Sequence, residues 1–267
     1  MSGVGAVAGS RSEAAARLLI EARERHRPLA ALPPECRPAS LAEGLAVQEA
    51  LIALDGRRTA GWKIGCTSEY AQKLLGADRP FPGRVFAATV HASPAALARS
   101  AFIAIGLEPE FAFRLGRDLP PRAATYGREE VAAAIEVLLP SCEIVETRFG
   151  DWRSVGAACL AADNGCNGAL VLGEAVRDWR NYDLARHKVT LAINGETVAV
   201  GTGEAVLGHP LTALAWLANH LRERGSGLAA GEVVTTGTVA GIHYLERGDE
   251  AVADYGPLGR VSLRVAG

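Results

Sequence analysis

The chain has 267 residues, 49% of them apolar, with a formal net charge of −2, which suits one large domain or two smaller ones with a substantial core. So small a charge removes any electrostatic case for nucleic acid or an anionic membrane, and no apolar run is long enough to span a bilayer. Cys36, Cys66, Cys142, Cys159 and Cys166 form no Cys-x-x-Cys pair and suit a reducing cytoplasm better than a disulfide framework.

Residues 1–9 are small and apolar without a basic segment; they read as a loose tail rather than a signal peptide. Ala15, Leu18, Leu19 and Ala22 follow helical spacing, and Pro28, Pro33, Pro34 and Pro38 then break the helix. Ser40 and Glu43 form a capping-box pattern ahead of Leu45, Leu51 and Ile52. Residues 10–58 thus form a helical N-terminal part able to cap the rest of the chain. Gly61-Trp62-Lys63-Ile64-Gly65 reads as a short strand, and Ser68 caps a short helix ending at Gly76. Residues 127–139 read as a helix stopped by Pro140. Lys188 to Val200 is a hairpin on Asn194-Gly195, the type I′ turn pair. Pro210 opens a helix closed by Gly225, and Glu232 to Val265 is strand-like. Strands interrupted by helices, without regular βαβ alternation, indicate an α+β fold.

The segment from Ile103 to Phe113 reads as an apolar strand. Alternation puts Ile105, Leu107, Pro109, Phe111 and Phe113 on one face and Gly106, Glu108, Glu110 and Ala112 on the other. The two carboxylates are about 7 Å apart along the backbone, at roughly 3.3–3.4 Å per residue. One reading is an exposed edge strand with two solvated charges, which Pro109 supports. The other is a cation site, because buried like charges repel and a hard divalent ion takes oxygen ligands. Leu138 to Arg148 is a second apolar strand with Glu143 embedded in it, where a bare carboxylate is costly; Glu146, on the opposite face, can pair with Arg148. Three carboxylates on an octahedral Mg²⁺ or Mn²⁺ leave positions for water or a chelating substrate. Lys63 is either an edge lysine in solvent or a cation that holds a substrate carboxylate or relays a proton. Thr235-Thr236-Gly237-Thr238 is either an ordinary turn or an anion-binding strand end. Asp163-Asn164 reads as a turn or helix end, and His209-Pro210 as a helix start. The histidines form no zinc-type array, and there is no GxGxxG, P-loop or GxSxG pattern.

Together these residues resemble the 2-keto-4-pentenoate hydratase and 4-oxalocrotonate decarboxylase group of the fumarylacetoacetate hydrolase superfamily. The likeness runs from about residue 13 to the end. It is carried by Val47-Gln48, by Gly61 to Ser68, and by Leu107-Glu108-Pro109-Glu110. Pro140 to Glu143 with Arg148, Asp163-Asn164, Gly208-His209-Pro210, Ala215 to Asn219 and Thr236-Gly237-Thr238 complete it. The resemblance implies a mixed β-roll catalytic core over residues 59–267 and a homo-oligomer; some members of the group work in complex with a related pathway enzyme. It implies Mg²⁺ or Mn²⁺ held by Glu108, Glu110 and Glu143. Lys63 is then the catalytic and substrate-contacting residue, and Thr238 helps hold the substrate carboxylate.

The activity implied is that of a metal-dependent lyase acting on a 2-oxo acid through a metal-stabilised enolate. Its reaction is hydration of a 2-oxo-4-enoate, in the breakdown of aromatic or ring compounds. Alternatives are a 2-oxo-acid decarboxylase, an acylpyruvate-type C–C hydrolase, and a non-enzymatic metal or 2-oxo-acid sensor or inactive partner subunit. One position departs from the pattern. Many hydratases of the group have an aspartate before the glycine of a Pro-Asp-Phe/Tyr-Gly segment, and here Phe81 occupies that place in Pro80-Phe81-Pro82-Gly83. Proton transfer is then left to Lys63 or a water, since Asp78 lies three residues away in a proline-rich loop.

Overall fold

The computed structural model describes residues 4–267. In chain order the elements are α1 (Val4–Glu24), α2 (Leu41–Asp55), β1 (Thr59–Gly65), α3 (Glu69–Leu75), β2 (Phe81–Phe86), β3 (Val90–Ala92) and β4 (Ala95–Ala98). Then come β5 (Ile105–Leu115), α4 (Arg128–Ala134), β6 (Ile135–Val145), α5 (Gly156–Ala162), β7 (Asn167–Leu172), β8 (Lys188–Ile193) and β9 (Glu196–Thr202). The chain closes with α6 (Pro210–Glu223), β10 (Val233–Thr238), β11 (His243–Leu245), β12 (Glu250–Asp254) and β13 (Arg260–Ala266).

Two mixed sheets carry the fold. The larger has the order β2-β1-β10-β5-β6-β7-β3, with β11 also paired to β5, and the smaller has the order β4-β13-β12-β8-β9. The long strands β5 and β6 lie at the centre of the larger sheet. The apolar face of β5, through Ile105, Leu107, Phe111 and Phe113, packs in one core with Val189, Leu191, Ala251, Ala253 and Val261 of the smaller sheet. Phe111 meets Tyr255 edge-on at 5.5 Å between ring centroids. A second core joins α1, α2 and α5 through Ala15, Leu19, Leu45, Leu51 and Leu160, and includes Phe81 and Phe149. The helical N-terminal part therefore packs against Phe81 and Phe149 rather than standing apart.

Local signals hold at most boundaries. Ser40 Oγ accepts from Glu43 N, while the Glu43 carboxylate accepts from Ala39 N one residue before the cap. Ser68 caps α3, and Gly76 ends it in the left-handed conformation at φ 63°. Asn194 and Gly195 both have positive φ, 53° and 82°, as a type I′ turn between β8 and β9 requires. His209 caps α6, its Nδ1 accepting from Leu211 N at 3.0 Å.

Three expectations change. Helix α1 reaches back to Val4, so residues 4–9, read as a loose tail, continue a helix that no proline interrupts; residues 1–3 lie outside the described residues. The helix expected over 127–139 ends at Ala134, and Ile135 begins β6. Pro140 stops nothing: it sits inside β6, where its carbonyl accepts from Gly173 N just past the end of β7, and a residue's N and O point to the same side of a strand. Its missing N–H thus faces the place where the partner strand has ended. Pro109 does not mark a sheet edge either. Its carbonyl accepts from Val239 N, so the missing N–H faces the gap between β10 and β11 and β5 remains central.

Close packing of α2 on α5 depends on Gly44, where a Cβ would lie 2.2 Å from the Ala158 carbonyl oxygen. Gly44→Ala is expected to lower stability by about 1–3 kcal/mol, the cost of overpacking against backbone, read as a lower denaturant midpoint at unchanged m-value.

Candidate metal centre

The register of two strands assembles the site. Glu108 is directly opposite Glu143 across the antiparallel β5–β6 pair, and Glu110 opposite Ser141. Residues opposite one another point to the same face, so Glu143 joins Glu108 and Glu110 on the face turned away from the smaller sheet. One carboxylate oxygen from each lies within 4.8 Å of the others. Glu110 and Glu143 are buried, and Glu108 keeps partial exposure to a cavity of about 470 Å³ whose wall it joins.

Lys63 reaches the same place from β1. Parallel pairing with β10 sets Lys63 beside Thr235, and antiparallel pairing of β10 with β5 sets Thr235 beside Ala112, so all four strands present one face. Lys63 is 4% exposed. Its Nζ lies 3.0 Å from Glu143 Oε1 and donates to the Gly165 carbonyl at 2.6 Å. Gly83 sits opposite Lys63 across β1–β2, and a Cβ there would come within 2.9 Å of Lys63 Cδ. The glycine gives the lysine stem its channel.

Electrostatics at the cluster are out of balance: three carboxylates face one ammonium. Burial, then Glu143, raises the Glu108 carboxyl from its ordinary 4.5 to about 7, against the pull of Lys63. Burial, then Glu143 and Glu108, pushes Glu110 well above the carboxylate range, and burial also raises Glu143 against the opposing pull of Lys63. For Lys63, burial alone would lower the pKa, but Glu143 and then Glu108 outweigh it and hold the ammonium charged. Glu110 Oε2 accepts from Gly237 N at 2.8 Å. Glu110 Oε1 and both Glu143 oxygens have no aligned hydrogen-bond donor among the described residues, the Lys63–Glu143 approach being an ion pair by distance only. Orphaned buried carboxylate oxygens on one face are what a hard divalent cation satisfies, so this donor set can hold a metal.

A buried polar frame fixes the surroundings. Asp163, at the end of α5, accepts from Arg148 Nε, from Arg148 N at 2.8 Å and from Thr147 Oγ1 at 2.9 Å. Arg148 Nη1 is 3.7 Å from Glu146, the pairing read from sequence. Asn164 Oδ1 accepts from Arg84 N at 2.7 Å, and its Nδ2 donates to Arg84 O at 2.9 Å. Asn164, Gly165 and Cys166 all have positive φ, 53°, 61° and 61°, an unusual run for non-glycine residues. It points the Gly165 carbonyl at Lys63. Gln48 donates to Pro82 O and Ala161 O and so ties α2 to β2 and α5.

Thr238 differs from the other expected site residues in that its hydroxyl is already bonded within the turn. It registers with Glu110 across β10–β5, but its hydroxyl donates to Gly241 O at 3.0 Å and accepts from Ala240 N at 3.3 Å. It shapes the turn that brings Ile242 to the cavity wall. Thr235 is the residue sequence reading left unassigned. Its buried hydroxyl shares the face of the cluster and has no hydrogen-bond partner; the alternation of β10 carries that signal once its pairing with β5 is known. Phe81 is buried and lines the cavity, while Asp78 is exposed and paired with Arg79 at 2.8 Å. Cys66 and Cys166 also line the cavity, and burial raises their thiols to about 11 and about 12. Neither is a thiolate nucleophile at neutral pH.

The fumarylacetoacetate (FAA) hydrolase C-terminal family model matches residues 72–266. The chain belongs to the fumarylacetoacetate hydrolase family. It is 36% identical over 258 residues to 2-keto-4-pentenoate hydratase 2 of Dechloromonas aromatica, covering 95% of this chain and 97% of that one. It is 37% identical over 196 residues to a 2-hydroxyhexa-2,4-dienoate hydratase of Comamonas testosteroni, 73% of each chain. Among solved structures, the 4-oxalocrotonate decarboxylase of Pseudomonas putida G7, complexed with magnesium and adipate, superposes with a TM-score of 0.89 at 26% identity, covering 96% of this chain and 97% of that one. Among the described residues, no helix is long and apolar enough to cross a membrane.

The metal-free site carries a pH signature. Because folding raises the Glu108 pKa from 4.5 to about 7, the folded state binds more protons than the unfolded state across that window, and stability falls as pH rises through it. Denaturant midpoints in chelator are expected to drop as pH rises from 5 through 7.5. Glu110→Gln keeps an acceptor for Gly237 N and removes one titratable carboxyl from the cluster. It is expected to flatten the slope and raise metal-free stability at pH 8 by roughly 1–3 kcal/mol, the scale of a buried group without partners.

Proposed function

We propose that the protein is a divalent-metal-dependent lyase that hydrates a 2-oxo-4-enoate. The observation that carries this reading is the convergence of Glu108, Glu110 and Glu143 beside a charged, buried Lys63 at one cavity. The hydratases at 36% and 37% identity supply the reaction class.

Glu108, Glu110 and Glu143 hold Mg²⁺ or Mn²⁺; when bound, such an ion supplies Lewis-acid polarisation of a substrate oxygen. Lys63 contributes as a cation. Held protonated by its carboxylate neighbours, it orients a substrate carboxylate and can donate a proton, and it is a poor free-amine base. With Phe81 in the cavity wall and Asp78 turned to solvent, the remaining proton transfer passes to water admitted through the cavity. Thr238 meets a substrate carboxylate only by giving up its bond to Gly241. The unpartnered Thr235 hydroxyl is the better-placed neutral donor on the same face. A cytoplasmic homo-oligomer is part of this reading; the five free cysteines support the compartment.

A second reading, decarboxylation of a 2-oxo acid, is favoured by the match to the decarboxylase structure. The C–C hydrolase reading loses support, because no histidine lines the cavity among the described residues to activate a water.

Exhaustive chelation is expected to abolish turnover of a 2-hydroxy-2,4-dienoate, and Mg²⁺ or Mn²⁺ to restore it. Glu108→Ala is expected to eliminate metal-dependent turnover with the fold retained by circular dichroism. Lys63→Met should lower kcat/KM by about 10²-fold or more, the scale of general acid–base assistance. Loss of dienoate absorbance without carbon dioxide supports hydration. Stoichiometric carbon dioxide moves the assignment to decarboxylation, and full activity in chelator overturns both.

A further inference from the structure

Beyond Lys63 and Glu108, the buried part of the cavity lining is largely aliphatic and aromatic and carries no further charge. Phe81, Ile103, Val145, Phe149, Leu160 and Ile242 are among its lining residues, and Phe81 and Phe149 are 3% and 2% exposed. The two further charged side chains on the wall, Asp151 and Arg153, are exposed. Arg153 lies over the Trp152 ring at 4.3 Å, and Asp151 Oδ1 accepts from Arg153 N at 3.2 Å. At the rim, Trp152 Nε1 donates to the Tyr244 hydroxyl at 2.9 Å. That bond joins the loop after Phe149 to β11, two segments 92 residues apart, and sets two aromatic rings at the opening.

We propose that the site selects 2-oxo acids with an apolar alkyl or aryl tail, and that Phe81, Trp152 and Tyr244 set this preference. The inference rests on the reading above, because it takes the chelating end of the substrate to Glu108 and Lys63. A tail leaving that end runs along aliphatic and aromatic wall. Each methylene buried there contributes about fourfold in affinity, the equivalent of about 0.8 kcal/mol. A second carboxylate on the tail finds no cation other than Lys63 among the buried lining residues, and the exposed rim sets Asp151 beside Arg153, one charge of each sign in solvent; stripping its water without a buried partner is costly. Phe81 contributes an aromatic ring to that wall. Trp152 and Tyr244 extend the apolar surface to the mouth.

The test is calorimetric titration of the Mg²⁺-loaded protein with oxalate, 2-oxohexanoate and 2-oxohexanedioate, the last two having equal chain length. Oxalate is expected to bind, and 2-oxohexanoate to bind at least tenfold more tightly than 2-oxohexanedioate. Phe81→Lys is expected to erase most of that ratio. Because Phe81 also packs in the helical core, the exposed rim supplies a second variant: Tyr244→Lys should strengthen 2-oxohexanedioate binding several-fold and leave oxalate unchanged. Equal or tighter binding of 2-oxohexanedioate by the unaltered protein overturns the inference while oxalate binding preserves the metal-site reading. No oxalate binding to the loaded protein overturns that reading, and the tail preference with it.

Discussion

Three clustered carboxylates, two of them buried, against one ammonium is the constraint that the architecture around this site answers. At close range in a poorly solvated interior, like charges are costly, and Lys63 offsets only part of that cost. The protein keeps the imbalance instead of neutralising it with a second basic side chain. Arg148, also fully buried, is spent on Asp163 and Glu146. The arrangement makes sense if the missing positive charge arrives from outside, and it places the cost in the metal-free protein, where raised carboxyl pKa values record it.

Holding such a cluster requires a stiff surround. Glu108, Glu110 and Glu143 sit on the two central strands of the larger sheet, whose far face is locked against the smaller sheet by Phe111, Phe113 and Tyr255. The Tyr255 hydroxyl lies 2.9 and 2.7 Å from the Glu110 and Ser141 carbonyls, so the smaller sheet grips the backbone directly beneath the carboxylates. Lys63 is fixed by a different route, through Gly83, Asn164 and the left-handed Gly165 turn. Strained backbone of this kind persists only where neighbouring contacts over-determine it, and the Asp163–Arg148 pair with the Asn164–Arg84 backbone bonds does that.

The cavity separates two roles that one site often merges. Its floor is charged and generic, suited to the chelating end common to all 2-oxo acids. Its walls are apolar and individual. Phe81 adds a ring to the wall and leaves the carboxylates and Lys63 of the floor untouched. Thr238 illustrates the same division: its hydroxyl shapes a turn that delivers Ile242 to the wall, so its influence passes through the shape of the pocket.

Alternation along 103–113 was enough to place Glu108 and Glu110 on one face and the aromatic residues on the other, because strand periodicity is a local property. The Asn194-Gly195 hairpin, the Ser68–Gly76 helix and the Pro210 helix start were legible for the same reason: caps and tight turns are written in neighbouring residues. Pro140 misled, since whether a proline ends an element depends on where its partner strand stops, which is not local information. The sequence by itself determined which side chains share a face and where most helices and turns begin. Only the tertiary structure decided that Glu143 stands opposite Glu108, that Lys63 crosses from β1 over Gly83 to meet them, and that the Thr238 hydroxyl is bonded within its own turn while that of Thr235 is left without a partner among the described residues. Register between strands far apart in the chain is set by the summed packing of both sheet faces, and no short window of residues contains that sum.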